Sequence, residues 1–299
     1  MELHGIFTPL TTPFAADGSV ALDRLRQNVA RYNQTDLAGY VPNGSTSESV
    51  LLRWEEVYFV WETVKAAAAP EKILIAGSGA ESTAETIEHT NRAAQIGYAV
   101  ALVRTPSFYK SAMTENALAE HYLRVADASR IPVMVYSVPF FTHITVEAPL
   151  IARVAKHPNI VGIKDSSGDV ERAAAIIAAA PKQFQTLVGS ASTLYESLEV
   201  GAVGAILAVA DSFPELCCDV YEASRAGDRA KAHSLAQKLL APSNMLVREY
   251  GIPGLKYALD RLGYYGGPPR PPLLPVSDKA RLEIDGMLTN LMSQPAHLL

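Results

Sequence analysis

The sequence predicts an α/β protein, a (β/α)8 TIM barrel with a C-terminal helical extension, and three observations carry that prediction. Short apolar runs alternate with longer stretches of helical periodicity along most of the chain. The runs are near-continuous in their hydrophobicity, which is the pattern of parallel strands covered on both faces. About eight such units fit within residues 1–225, which suits a closed barrel better than an open doubly wound sheet. No G-x-G-x-x-G stands at the first strand-to-helix turn, so a dinucleotide-binding fold is disfavoured.

The strand candidates follow in order. HGIFTPL (4–10) opens the series, followed by LAGYVPNGS (37–45), KILIAGSG (72–79) and YAVALVRTP (98–106). IPVMVYSVP (131–139), NIVGIKDSS (159–167), FQTLVGSAS (184–192) and GAVGAILAVA (201–210) complete it. ALDRLRQNVARYNQ, TAETIEHTNRAAQIG and ENALAEHYLRVADAS between them have the 3.6-residue period of amphipathic helices. After the eighth run the alternation stops. SFPELCCDVYEASRAG, DRAKAHSLAQKLLAPSNMLV and GLKYALDRLG read as helices, GGPPRPPLLPV breaks the chain, and Ser277-Asp278 is a capping-type start for a last helix. The expected organisation is a barrel over 1–225 and a helical extension over 226–299.

Composition narrows the function. The 299 residues are 48% hydrophobic and 19% charged, the make-up of a globular chain with a large core. With 26 basic and 31 acidic residues, the formal net charge is −5, which offers no basic surface to nucleic acid or anionic lipid. MELHGIFTPL lacks the basic n-region and long apolar core of a signal peptide, and no apolar run is long enough to span a bilayer. The two cysteines, Cys217 and Cys218, are adjacent and poorly placed to pair, so a cytoplasmic location is expected. The seven histidines (His4, His89, His121, His143, His157, His233 and His297) show no ligand spacing beside a carboxylate, so no metal is expected.

In a barrel of this kind, active-site residues stand at the C-terminal ends of the strands. Polar residues there include Ser45, Thr46, Ser47 and Glu48 after the second run, Thr105 to Tyr109 after the fourth, Tyr136 in the fifth and Lys164 in the sixth. Lys164 poses the sharpest question, because it closes the apolar run Ile160–Ile163. A buried ammonium must pair, snorkel or lose its proton. Pairing with Asp165 is the structural alternative; loss of the proton makes the amine a nucleophile of the Schiff-base type.

The motifs NGSTSES, YSVP and HPNIVGIKDSSGD, in this order, resemble the dihydrodipicolinate synthase / N-acetylneuraminate lyase family of pyruvate-handling class I lyases. The resemblance extends from GIFTPLTTPF to GYYGGPPRPPL. LIAGSGAEST and REYGIPGLKYALDRLGYYGGP make it most similar to the 4-hydroxy-2-oxoglutarate aldolase branch. It implies that Lys164 forms an imine with a 2-oxo acid and that Tyr136 relays protons, and it places Ser45 and Tyr109 with them among the catalytic residues. Ser45 and Thr46 would hold the substrate carboxylate. Ser47 stands where the family has glycine, so the turn must be made by a residue with a Cβ. Either Tyr109 or Phe108 would reach across a dimer interface to the proton relay. The Ile206 backbone would lie beside bound pyruvate.

Phe141 marks a departure. It stands two residues after the YSVP proline, where the lysine-biosynthesis enzymes have an arginine for the carboxylate of the aldehyde partner. A phenyl ring cannot make that bidentate contact. The expected function is therefore a cofactor-free aldolase that cleaves a 4-hydroxy-2-oxo acid to pyruvate and an aldehyde or oxo acid. Dihydrodipicolinate synthesis, or a hydratase-aldolase or dehydratase reaction through the same iminium, is the alternative. A silent barrel that only binds a 2-oxo acid is the non-enzymatic one. A homo-oligomer, dimer or tetramer, is implied by the same resemblance.

Overall fold

The computed structural model describes residues 2–293, and in it eight parallel strands close into a barrel in chain order. They are β1 (Gly5–Thr8), β2 (Gly39–Tyr40), β3 (Ile73–Gly77), β4 (Val100–Arg104), β5 (Val133–Ser137), β6 (Ile160–Asp165), β7 (Gln185–Val188) and β8 (Gly204–Ile206). Each lies inside the apolar run expected for it, and helices connect them. The architecture is the (β/α)8 barrel read from the sequence, followed by helices in the C-terminal part.

The chain divides into two compact units, Met1–Gly5 with Ile73–Ile206 and Ile6–Lys72 with Leu207–Leu299. In the first, neighbouring strands run in parallel register, with Val135 opposite Ile163, Tyr136 opposite Lys164 and Ser137 opposite Asp165. The β-branched positions Val103, Val135 and Ile163 form a core with Leu118, Tyr122 and Val125 of the helix Glu115–Ala128 and with Leu150, Ile151 and Val154 of the helix Ala148–Val154. Each such side chain contributes about 1.5–3 kcal/mol of burial. Three helix starts in this unit are capped by side chains, Ser82 accepting from the Glu85 N–H, Thr114 from Ala117 and Asp169 from Arg172.

The second unit holds β2 and, from residue 226 onward, the helices Arg229–Pro242, Gly251–Arg261 and Asp278–Met292 with a π-helical stretch, Ser243–Glu249. Leu246, Leu255, Ala258, Ile284 and Leu288 form its C-terminal core. Ser277 caps the last helix through the Ala280 N–H, as its sequence indicates. Cys217 and Cys218 are buried free thiols in the helix Pro214–Arg225, and burial pushes both above the ordinary thiol range, which leaves them unreactive. Among the described residues, no helix is long and apolar enough to cross a membrane.

Within this unit Asp211 ties the segment after β8 to the end of β1. Its carboxylate accepts the Thr8 hydroxyl at 2.5 Å and the Thr11 N–H at 3.2 Å, and the Tyr32 hydroxyl donates to its carbonyl oxygen at 2.7 Å. Burial pushes the Asp211 carboxyl up to about 7, against the downward pull of Thr8 and Thr11. The folded state thus holds this proton more tightly than the unfolded chain. The associated stability is full below the ordinary aspartate value of 3.8 and is lost as pH rises toward about 7. The denaturation midpoint should decrease as pH rises from about 4 to about 7, and Asp211→Asn should lack that part of the decrease. Equal pH dependence in the two proteins would refute the assignment.

Candidate active site

Lys164 is the penultimate residue of β6 and is 4% exposed; Tyr136, its register partner on β5, is 5% exposed. Equal register on adjacent parallel strands sends both side chains to the same face of the sheet. The Lys164 Nζ lies 4.4 Å from the centre of the Tyr136 ring. Burial pulls the lysine below its ordinary value of 10.5, while the charge and hydrogen bonding of the Tyr136 hydroxyl pull it partly back. The amine therefore spends more time neutral than an exposed lysine, which is the state that attacks a ketone.

Asp165 does not take the role of ion-pair partner. Its carboxylate accepts the Ser167 hydroxyl at 2.5 Å, and burial pushes it up from the ordinary aspartate value against the pull of Ser167 and Arg172. No carboxylate is among the groups that move Lys164. Gly189, after β7, makes room for the lysine. A Cβ built there would lie 1.9 Å from the Ser166 Oγ and 3.1 Å from the Lys164 Cε. The segment VGSAS contains this glycine, but the clash that requires it comes from β6 and is invisible in the local sequence.

Ile206 ends β8 at 1% exposure. Tyr109 and Phe108 are 72% and 79% exposed on the loop after β4, with ring centres 5.1 Å apart and edge to face. Their loop is held by Glu81, whose carboxylate accepts the N–H groups of Ser107 and Phe108 at 2.8 and 2.9 Å and the Arg104 guanidinium at 3.1 Å. Burial would raise the Glu81 carboxyl; these donors outweigh it and leave it lowered. Sequence reasoning passed over Glu81. Phe140 and Phe141 form a second exposed pair, 5.0 Å apart, on the short helix Pro139–Thr142 after β5.

Ser45 and Thr46 stand in the other compact unit, in the 3-10 turn Ser45–Ser47 after β2, with Thr46 buried and Ser45 partly so. Ser47, where the family has glycine, is not among the left-handed residues of the chain. The left-handed residues of the loop are Asn43 (φ 63°) and Glu48 (φ 59°), and Ser47 uses its side chain to donate to the Leu10 carbonyl at 2.6 Å. Among the described residues, no three His, Cys, Asp or Glu side chains form a group that could hold a metal ion. His297 lies outside the described residues.

Two outcomes follow from the lysine and tyrosine pair. Incubation with pyruvate and cyanoborohydride should trap an adduct on Lys164, and Lys164→Ala should abolish turnover with the fold intact; mapping to Lys110 or Lys256 would overturn this. Tyr136→Phe should slow turnover by roughly 10²-fold, the scale of a positioned acid–base group. Because the Tyr136 hydroxyl raises the amine's pKa, its removal should also move the midpoint of the trapping pH profile downward.

Comparison with known proteins adds relatives to this geometry. The model of the dihydrodipicolinate synthetase family matches residues 2–291. A 4-hydroxy-tetrahydrodipicolinate synthase of Methanothrix thermoacetophila is 34% identical over 289 residues, covering 96% of this chain and 97% of its own. One of Rhizobium meliloti is 35% identical over 277 residues, covering 92% and 94%. The crystal structure of a chloride-inhibited dihydrodipicolinate synthase of Acinetobacter baumannii, complexed with pyruvate, is similar with a TM-score of 0.93 at 31% identity, covering 97% of this chain and 99% of that one.

Proposed function

This chain belongs to the dihydrodipicolinate synthetase family, and from that premise we propose that it joins pyruvate to an aldehyde, or splits the joined product, through an imine on Lys164. It is a class I carbon–carbon lyase, and the observation that carries the proposal is the buried amine of Lys164 against the Tyr136 ring. The neutral amine attacks the ketone carbon and water leaves. The iminium then draws electrons from C3, so that a proton, or the C3–C4 bond, can be released there. Tyr136 carries protons to and from the oxygen that develops charge, because a phenol both donates and accepts. Ser45 and Thr46 hold the carboxylate with their hydroxyls, and Ile206 contributes backbone beside the bound 2-oxo acid. We further propose a cytoplasmic homo-oligomer, dimer or tetramer, in which Tyr109 of the exposed aromatic pair completes the proton relay.

For the second substrate, the names of the relatives support aspartate semialdehyde, condensed with pyruvate as in a 4-hydroxy-tetrahydrodipicolinate synthase. This reading takes precedence over the 4-hydroxy-2-oxo acid expected from the sequence. Phe141 supports the second reading, cleavage of a 4-hydroxy-2-oxo acid, because a semialdehyde carboxylate gains nothing from a phenyl ring. The test is a substrate panel on one preparation, with semialdehyde condensation and pyruvate release from 4-hydroxy-2-oxo acids both measured as kcat/KM. On the leading reading, condensation exceeds every cleavage reaction. Phe141→Arg should then raise it further by about tenfold or more, the scale of one charge-assisted hydrogen bond. Faster cleavage than condensation, with no gain from Phe141→Arg, would establish the second reading.

A further inference from the structure

Glu48 follows the Ser45–Ser47 turn directly and sits at φ 59°, a conformation that side chains with a Cβ rarely adopt. Its backbone closes the turn: its N–H donates to the Ser45 carbonyl at 3.2 Å, and its own carbonyl accepts the Leu51 N–H at 2.8 Å. Its side chain is buried and gripped from two directions. The Lys256 Nζ lies 2.6 Å from Oε1, and the Arg270 backbone N–H donates to Oε2 at 2.7 Å. Lys256 is itself fully buried on the helix Gly251–Arg261, donating to the Pro268 carbonyl at 3.0 Å with its Nζ 4.3 Å from the Phe14 ring centre. The Arg270 guanidinium in turn donates to Glu56 at 2.6 and 2.7 Å and to the carbonyls of Leu51 and Gly18. All of these residues belong to one compact unit.

An apolar pair of the same volume would fill this space at lower desolvation cost, so stability alone does not account for a buried ammonium and carboxylate. What the pair does, and an apolar pair could not, is fix the direction of the Glu48 side chain and with it the left-handed backbone that closes the turn. Burial pulls the Lys256 amine down and Glu48 pulls it back up, as expected of a pair that keeps its charges by contact. We propose that Lys256 is a positioning residue: through Glu48 it holds the Ser45–Ser47 turn in the geometry that receives the substrate carboxylate. The inference rests on the carboxylate-binding reading of Ser45 and Thr46 given above. It assigns the helix Gly251–Arg261 a part in substrate recognition.

The test separates a positioning role from a structural one by comparing two ketones, pyruvate and hydroxyacetone, which is of similar size and has no carboxylate. Each is trapped on Lys164 with cyanoborohydride, and the half-saturating concentration is read from the yield. Lys256→Met should raise the value for pyruvate on the order of tenfold, the scale of a displaced charge-assisted contact. The value for hydroxyacetone should stay unchanged, as should the maximal yield. Ser45→Ala/Thr46→Val is measured alongside. If that double variant loses pyruvate selectively but Lys256→Met affects both ketones equally or neither, the positioning role is wrong and the carboxylate reading stands. If the double variant shows no selective loss, the carboxylate reading fails and the proposal falls with it. Should Lys256→Met fail to fold because Glu48 is left unpaired, Lys256→Met/Glu48→Gln removes both charges and is held to the same two outcomes.

Discussion

A lysine taken out of water beside a phenol, with no carboxylate among the described residues to hold its charge, is the constraint on which this molecule turns. A desolvated ammonium costs several kcal/mol, and the cheapest relief is to shed the proton. At Lys164 the Tyr136 ring and hydroxyl moderate the fall without cancelling it. The surroundings serve that arrangement. The parallel register puts the two residues level across β5 and β6. The lack of a side chain at Gly189 clears the lysine stem. Asp165, one residue on, is occupied by Ser167 and is itself biased toward its protonated form by burial, so the nearest acid in the chain does not quench the base.

Much of this was legible in the sequence because parallel barrel strands announce themselves. They are short, apolar on both faces and separated by helices, two of which begin at the capping residues Ser82 and Thr114. A lysine or tyrosine that interrupts such a run at its C-terminal end stands out for the same reason. What the sequence hides is whatever depends on distant partners. Glu81 looks like one more surface acid until its carboxylate is seen collecting two backbone N–H groups some 26 residues away. Lys256 looks like an ordinary helical lysine until Glu48, more than 200 positions earlier, is found against it. That the left-handed residue of this turn is Glu48 and not Ser47 is likewise visible only in the backbone.

The Lys164 and Tyr136 pair and the loops beside it differ in character. The pair is buried and level across β5 and β6. The loops after β4 and β5 carry exposed aromatic pairs, Phe108 with Tyr109 and Phe140 with Phe141. Exposed aromatic side chains carry large apolar area at low entropic cost and gain most when something covers them. An enzyme can keep its covalent chemistry unchanged while such loops vary, since the iminium does not depend on the identity of the aldehyde. Phe141, exposed on such a loop after β5, therefore bears on the choice of the second substrate and not on the covalent step.

The buried ionic network after β2 fits the same division of labour. Carboxylate recognition by hydroxyls and backbone N–H groups requires a turn held within a fraction of an ångström, and a 3-10 turn of three residues cannot hold itself. Here the turn is anchored through Glu48 to Lys256 and Arg270, and Arg270 is anchored in turn to Glu56 at the start of the helix Trp54–Ala67. Each link is short and charged, so the arrangement tolerates little slack. Burial thus acts in opposite ways on Lys164 and Lys256: it draws the first amine toward its neutral form beside a phenol, whereas the second keeps its charge by close pairing with Glu48.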